Sequence, residues 1–268
     1  MLESLELPIV MNINPRSLYN KTEDFHLLLD QYEADVICVS ESWERENYSL
    51  KDLLKLTNYE VITNVVQRDF SGGKPAIIIN LEKFYVKHLC PDPITVPLGV
   101  ECVWALITPK KRSPKSKIQN IAVASIYYRG PKSTKKDELF DHIAETYHFL
   151  MSKYGSTLQF LLMGDTNRLN LSPITNLSPN MKQVVKVPTR LNPPAILDPI
   201  LTTMQKWYQP PVTKPPISAN PGDGKSSDHL IVMMCPLFSA LYIPPRVYRT
   251  VVTRPLTLAG FQRFSSWI

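Results

Sequence analysis

Short apolar runs, each broken by a polar or proline-containing segment, dominate the hydropathy pattern of this 268-residue chain. Residues 7–13 (LPIVMNI) and 36–39 (VICV) are short, apolar and rich in β-branched side chains, as buried strands are. Between them Phe25, Leu28, Leu29 and Tyr32 recur at helical spacing, and Thr22 is placed to cap that helix. Strand, helix and strand within about 35 residues make a βαβ-like unit. Further strands are expected at 59–63, 76–79, 84–88, 102–107, 121–127, 158–163, 196–202 and 230–234, with Ser71-Gly72-Gly73 turning the chain before Ala76. A long helix should cover 134–152. There Phe140, Ile143, Ala144, Tyr147, Leu150 and Met151 form an apolar stripe, and Asp137 and Glu138 suit its N-terminal dipole. The segment 206–229 (KWYQPPVTKPPISANPGDGKSSDH) carries too many prolines and polar residues for regular structure. Many strands with two well-marked helices argue an α/β or α+β fold with large sheets, and no internal repeat is visible.

Composition narrows this picture. At 44% hydrophobic and 20% charged the chain is globular, which excludes wholesale disorder. It has 24 Pro but only 9 Gly, and thirteen of those prolines fall between Pro188 and Pro255, so the second half should run through stiff, irregular connectors. No stretch approaches the ~20 apolar residues of a membrane span. The opening MLESLELPIV has two Glu and no basic n-region, which argues against a signal peptide and for an intracellular, nuclear or cytoplasmic protein. Cys38, Cys90, Cys102 and Cys235 are widely spaced with no CxxC, so neither a zinc site nor a thioredoxin motif is indicated.

The formal charge of +6 is unevenly placed. The run 110–136 holds nine Lys/Arg and no acid; without it the chain has 21 basic residues against 24 acidic ones. After Asp228 no acid follows, while Arg246, Arg249, Arg254 and Arg263 do. A charge run alone reads first as a solvated hairpin tip and helix start, and second as a phosphate-backbone contact.

Polar residues collect where the apolar runs end. The first strand closes in Asn12-Ile13-Asn14, the second in Ser40-Glu41-Ser42, 121–127 in Tyr127-Tyr128-Arg129, and 158–163 in Gly164-Asp165-Thr166-Asn167. Asp198 lies inside ILDPILTT, and Asp228-His229 opens the last strand. Sites in sheet proteins gather past strand ends. Carboxylates there are costly to bury without a cation or hydrogen bonds, and carboxylate with amides suits Mg²⁺. A His beside carboxylates suits a phosphoryl group. Each signal alone is more often an ordinary cap or turn.

Taken in order, the set resembles the endonuclease/exonuclease/phosphatase superfamily, and within it the apurinic-type endonuclease domain of non-LTR (LINE-like) retrotransposons. The similarity runs over residues 7–236. It is carried by MNINPRSLYNK, VICVSESW, SGGKPAIIIN, SIYYRG, LLMGDTN, PTRLNPPAILDPILTT and SSDHLIV. PTR with LDPILTT and the tail RVYRTVVTRPL look more like retrotransposon proteins than cellular repair enzymes.

The resemblance implies a DNase I-like fold: a four-layered α/β sandwich of two packed, mostly antiparallel sheets flanked by helices. It would fill residues 1–236, with 237–268 a basic arm toward a reverse transcriptase region absent from this chain. It implies a Mg²⁺-dependent DNA endonuclease, with Mn²⁺ as a substitute ion, leaving a 3′-hydroxyl and a 5′-phosphate. DNA is the implied partner, with no membrane, and the chain is expected to be a monomer. Glu41 matches the principal metal ligand, with Asn12 and Asp228 beside it. Asn12 also matches the residue that positions phosphate or nucleophile, and Tyr127 the tyrosine against the scissile phosphate. Asp165 matches the aspartate that orients or deprotonates water, and Asn167 its phosphate-binding partner. Asp198 matches the acid that orients the catalytic His229. Asn14, Lys110, Lys111, Arg112 and Arg129 are candidate DNA contacts.

Two departures stand out. GDFN of the family is GDTN here, which loses an aromatic and should loosen the Asp165 turn. Pro75 replaces a residue with an N–H, so it belongs at a strand start or edge. Two other readings stay open: a catalytically silent remnant that at most binds nucleic acid, and a phosphatase of the same superfamily.

Overall fold

The computed structural model of the chain describes residues 6–45, 47–63, 73–112, 116–130, 135–217 and 227–237. The expected 237–268 arm with its arginines, the Ser71-Gly72 part of the turn before Ala76, and Thr134 at the expected helix start therefore lie outside the described residues, Leu237 excepted.

The first sheet uses β1 (Val10–Ile13), β2 (Val36–Val39), β3 (Tyr59–Thr63) and β4 (Ala76–Asn80). The second uses β5 (Phe84–His88), β6 (Glu101–Pro109), β7 (Asn120–Tyr127), β8 (Leu158–Asp165), β9 (Lys182–Gln183) and β12 (Ile200–Thr202); between its last two strands lies a small hairpin of β10 (Arg190–Leu191) and β11 (Pro194–Ala195). The chain then returns to the first sheet through β13 (Val212–Lys214) and β14 (Ile231–Met234). Among the described residues this makes two six-stranded sheets, ordered β13-β14-β1-β2-β4-β3 and β5-β6-β7-β8-β12-β9. Each sheet has one parallel pair at its centre, β1 with β2 and β7 with β8, and antiparallel neighbours outside it. Each parallel pair is joined by a helix, α1 (Thr22–Tyr32) or α3 (Lys136–Tyr154), as a parallel crossover requires.

Side-chain alternation along the strands builds four layers. Val10, Val36, Cys38, Val103, Val123 and Leu161 meet between the sheets. Met11, Ile13, Ile37 and Val39 point outward to Phe25 and Leu29 of α1 and to Leu50 and Leu54 of α2 (Leu50–Leu54). Trp104, Ala122, Ala124 and Phe160 face Ile143, Tyr147 and Leu150 of α3. The result is the expected helix–sheet–sheet–helix sandwich. The sheets are also pinned by polar bonds: Ser125 Oγ donates to Val39 O at 3.1 Å, and the Asn12 amide donates to Gly164 O at 3.2 Å and Pro199 O at 3.3 Å. Each such bond contributes roughly 1 kcal/mol.

Several local expectations change. Lys21, not Thr22, is the residue before α1, and no side chain caps that helix; Thr22 is its first residue. The buried face of α3 runs through Leu139, His142, Ile143, Thr146, Tyr147 and Leu150, rotated from the purely apolar stripe. His142 is tolerated inside because its Nε2 accepts the Trp104 indole N–H at 3.0 Å. The helix α2, capped by Ser49 Oγ on Asp52 N, is too short to register as a periodic pattern. β13 shows that the proline-rich segment after Trp207 still pairs, as an edge strand on β14. The strand expected at 196–202 starts only at Ile200, so Asp198 lies in the connector before it. Pro75 stands just before β4, where its missing N–H breaks no ladder bond.

Candidate active site

Parallel pairing brings the C-terminal ends of β1, β2, β7 and β8 to one rim, and the antiparallel neighbours β14 and β12 enter from that same rim. The strand-end residues thus face one another across the seam between the sheets. Asn14 is the link: its Nδ2 donates to Glu41 Oε1 and to Asp165 Oδ2, both at 2.9 Å. One amide group therefore holds together two carboxylates that come from different sheets.

Asp165 is 1% exposed. Its Oδ1 accepts the Asn167 N–H at 3.0 Å. Burial and the Asp198 charge push its carboxyl up to about 8, against the pull of His229 and of the Asn167 bond. The turn that presents it depends on Gly164. That residue has φ +140° and packs so closely on β7 that a Cβ would sit 1.8 Å from Ile126 O. The neighbouring Thr166 does not loosen this turn. Its N–H donates to Leu197 O at 2.8 Å and its hydroxyl reaches the same oxygen at 3.3 Å, so Asp165 is tied to the Asp198 segment by polar bonds in place of an aromatic.

Asp198 is fully buried and bonded on both oxygens. His229 Nδ1 donates to Asp198 Oδ2 at 2.8 Å and lies 3.1 Å from Oδ1. Burial alone would lower the His229 imidazole, but the Asp198 bond and charge, with Asp165 and Asp228, raise it to about 9. Its Nε2 faces the cleft, 3.9 Å from Asp165 Oδ2 and 4.0 Å from Asp228 Oδ1. Asp228 itself is exposed and pairs with Arg16 at 3.9 Å. Burial together with the charges of Glu41 and Asp165 holds the Tyr127 phenol far above its ordinary value.

No protein-family model and no curated protein matches the chain. Its likeness is to solved structures. The endonuclease domain of TRAS1, a telomere-specific non-LTR retrotransposon, aligns at a TM-score of 0.57 and 15% identity, over 85% of this chain and 97% of that one. A 3′ phosphatase from Neisseria, NExo, bound to product DNA hairpin, aligns at 0.61 and 13%, over 87% of this chain and 100% of that one. An AP endonuclease from Archaeoglobus fulgidus aligns at 0.57 and 14%, over 87% and 100%.

The fold is that of these solved structures, a DNase I-like α/β sandwich.

Within this fold the expected site residues do not all stand alike. Asn14, Glu41, Tyr127, Asp165, Asp198 and His229 converge, and Asp228 adjoins His229. Asn12 is fully buried beneath them, its NH₂ spent on the two backbone carbonyls and its Oδ1 without a partner. Asn167, at φ +44°, gives its Nδ2 to Tyr128 O at 2.9 Å, so it clamps the Tyr127 turn to the Asp165 turn.

The basic run is split. Arg129 follows β7 at the site end. Lys110, Lys111 and Arg112 sit at the opposite end, because β6 runs away from the rim and β7 runs back. The length of β7 puts about 25 Å between them and the cleft. Arg112 there bonds Gln119 Oε1 and Pro109 O, both at 2.8 Å. The parts of the run at 113–115 and 131–134 lie outside the described residues. Tyr208 is buried with its hydroxyl on Pro8 O, and Trp207 packs on the inter-sheet core, so neither stands free as a groove-entering aromatic.

Three contributors escaped the sequence reading. Thr189, in the quoted PTR, donates its hydroxyl to Asp198 Oδ2 at 2.7 Å and accepts the Leu197 and Asp198 N–H groups. Ser227 accepts the His229 N–H and donates to Asn14 O, tying the entry to β14 to the exit from β1 within the first sheet. Trp43 donates its indole N–H to Glu41 Oε2 at 2.9 Å. Only proximity in sequence to Glu41 and His229 hinted at the last two.

No helix among the described residues is long and apolar enough to cross a membrane.

Proposed function

We propose that this chain is a divalent-metal-dependent DNA endonuclease that hydrolyses a phosphodiester bond to a 3′-hydroxyl and a 5′-phosphate, as in target-site nicking by non-LTR retrotransposons. The observation that carries the reading is the His229 imidazole, held by Asp198 and aimed at Asp165 across the rim. The likeness in fold to the TRAS1 endonuclease domain supports it.

Each residue has work to do in that reaction. Asp165, once charged, holds the attacking water and takes its proton at Oδ2. His229, kept as imidazolium by Asp198, donates from Nε2 to a non-bridging phosphate oxygen. The Tyr127 hydroxyl, kept neutral, lies against the same phosphate. Asn167 positions the Asp165 and Tyr127 turns, and Thr189 holds Asp198 in place.

The donor set fits a hard cation. Glu41 Oε1 and Asp165 Oδ2 face a single amide, and Asn12 Oδ1 is a buried acceptor with no partner. Glu41, with Asn12 and Asp228, would hold Mg²⁺, for which Mn²⁺ would substitute. Asp165, Asp198 and His229 also offer ligand atoms within 4.8 Å of one another. When bound, the ion supplies charge relief on phosphate and leaving oxygen.

The products test the assignment. Nicked plasmid should serve a DNA polymerase as primer without further treatment. Nicks that need removal of a 3′-phosphate first, or release of inorganic phosphate without nicking, would overturn it.

A further inference from the structure

On the Glu41 side of the rim stands an aromatic residue that the reaction scheme does not use. Trp43 has φ +55°, a backbone region that bulky L-residues avoid. The neighbouring backbone holds it there: Trp43 N–H donates to Gly73 O at 3.2 Å, and Ser42 Oγ donates to Lys74 O at 2.6 Å. This turn sets the indole N–H on Glu41 Oε2, yet leaves the residue 41% exposed. A tryptophan serving the core would resemble Trp104, which is 0% exposed. The same loop continues into further aromatic and cationic surface. The Arg45 guanidinium lies 4.2 Å over the Tyr19 ring, Tyr19 contacts the Tyr48 ring at 6.1 Å, and Tyr48 is 41% exposed.

A strained, solvent-facing indole anchored to a carboxylate of the site is poorly explained by packing. An exposed aromatic face with arginine beside it is the usual platform for a nucleic-acid base, because every base offers a π-face whatever its identity. We propose that Trp43 stacks on an unpaired or extruded base next to the scissile phosphate, while its N–H holds Glu41 in place. The inference rests on the DNA-endonuclease reading and adds a residue that selects locally unpaired DNA.

The test uses the full chain in EDTA, so that binding is read without cleavage. The probes are a fluorescent duplex with one unpaired base and the same duplex fully paired. The wild type should bind the unpaired-base probe more tightly. Trp43→Ala should lose about tenfold in affinity for it, with little change on the paired duplex. Trp43→Phe keeps the ring and loses the N–H, so it should stay within about threefold of the wild type in binding while nicking more slowly. Thermal melts confirm that both variants fold. Equal binding of the unpaired-base probe by Trp43→Ala and wild type overturns the inference, and so does Trp43→Phe binding as weakly as Trp43→Ala. Those results with plasmid nicking intact leave the endonuclease reading standing. A wild type that neither binds DNA nor nicks it removes both.

Discussion

His229 Nδ1 lies 2.8 Å from Asp198 Oδ2, and this one pair joins the two sheets at the rim, since His229 leads into β14 and Asp198 into β12. The pair sets the protonation state of the imidazole. Without Asp198 the imidazole loses the bond and the charge that chiefly oppose burial, so it titrates lower.

The sign of the pH dependence follows. His229 is raised to about 9, so its donating form persists through neutral pH and is lost as pH rises through about 9. Asp198→Ala should move the alkaline limb of the pH–rate profile down by more than about one pH unit and cut kcat on the order of 10²-fold. Thr189→Val removes only one donor from Asp198 and should shift the limb less. An unchanged alkaline limb in Asp198→Ala would contradict the assigned role.

Gly164 is required by space. Its Cβ would lie 1.8 Å from Ile126 O, with φ +140°. Gly164→Ala should destabilise by several kcal/mol, beyond the usual range for a single substitution. Gly155→Ala is the comparison: at φ +63° and ψ −154° it pays backbone strain of roughly 1–3 kcal/mol, but with nothing within 4 Å it adds no clash. Chemical denaturation of the two variants reads the difference directly.

His142 gives a stability signature remote from the site. Burial lowers it to about 4, and its Nε2 must stay unprotonated to accept from Trp104. The unfolded chain binds that proton from pH ~6.5 downward, so stability falls as pH drops from about 6.5 toward 4. The shift corresponds to about 3 kcal/mol at full extent. His142→Gln should flatten this part of the stability–pH curve. A curve that keeps its slope in the variant assigns the effect elsewhere.

The position of the basic residues is testable by charge removal. Lys110 and Lys111 stand about 25 Å from the cleft, more than two Debye lengths at physiological salt. The double variant Lys110→Ala/Lys111→Ala should change nicking kcat/KM by less than about threefold. Arg129→Ala, beside the Tyr127 turn, should lower it and reduce its salt dependence. A large loss in the lysine variant would restore the basic strip as a substrate contact.

Much of the architecture was legible because the strands are almost uniformly apolar and short. VICV at 36–39 and FYVKH at 84–88 have their structural bounds in the sequence itself. The strand-end polar residues were legible for the same reason: an apolar run ending in Glu41 or Asp165 marks where the sheet stops. What the pattern hid was direction and pairing. Lys110 and Arg129 are close in sequence, and only the antiparallel register of β6 and β7 shows that they stand at opposite ends. Thr189 and Ser227 were hidden because a hydroxyl bonding a buried carboxylate or a backbone carbonyl carries no periodic signal. Trp43 needed its backbone angle and its exposure to be distinguished from a core tryptophan. Asn12 matched a site motif, yet its side chain turns inward between the sheets, following the alternation of β1.

The central claim is tested most directly by incubating the purified chain with supercoiled plasmid and Mg²⁺, beside Glu41→Ala and His229→Ala variants shown to be folded. The account predicts nicked circles from the wild type, none after EDTA, recovery on adding Mg²⁺ or Mn²⁺, and loss on the order of 10²-fold or more in either variant. A folded wild type that leaves the plasmid intact with both ions, or variants that nick as fast as it does, would contradict it.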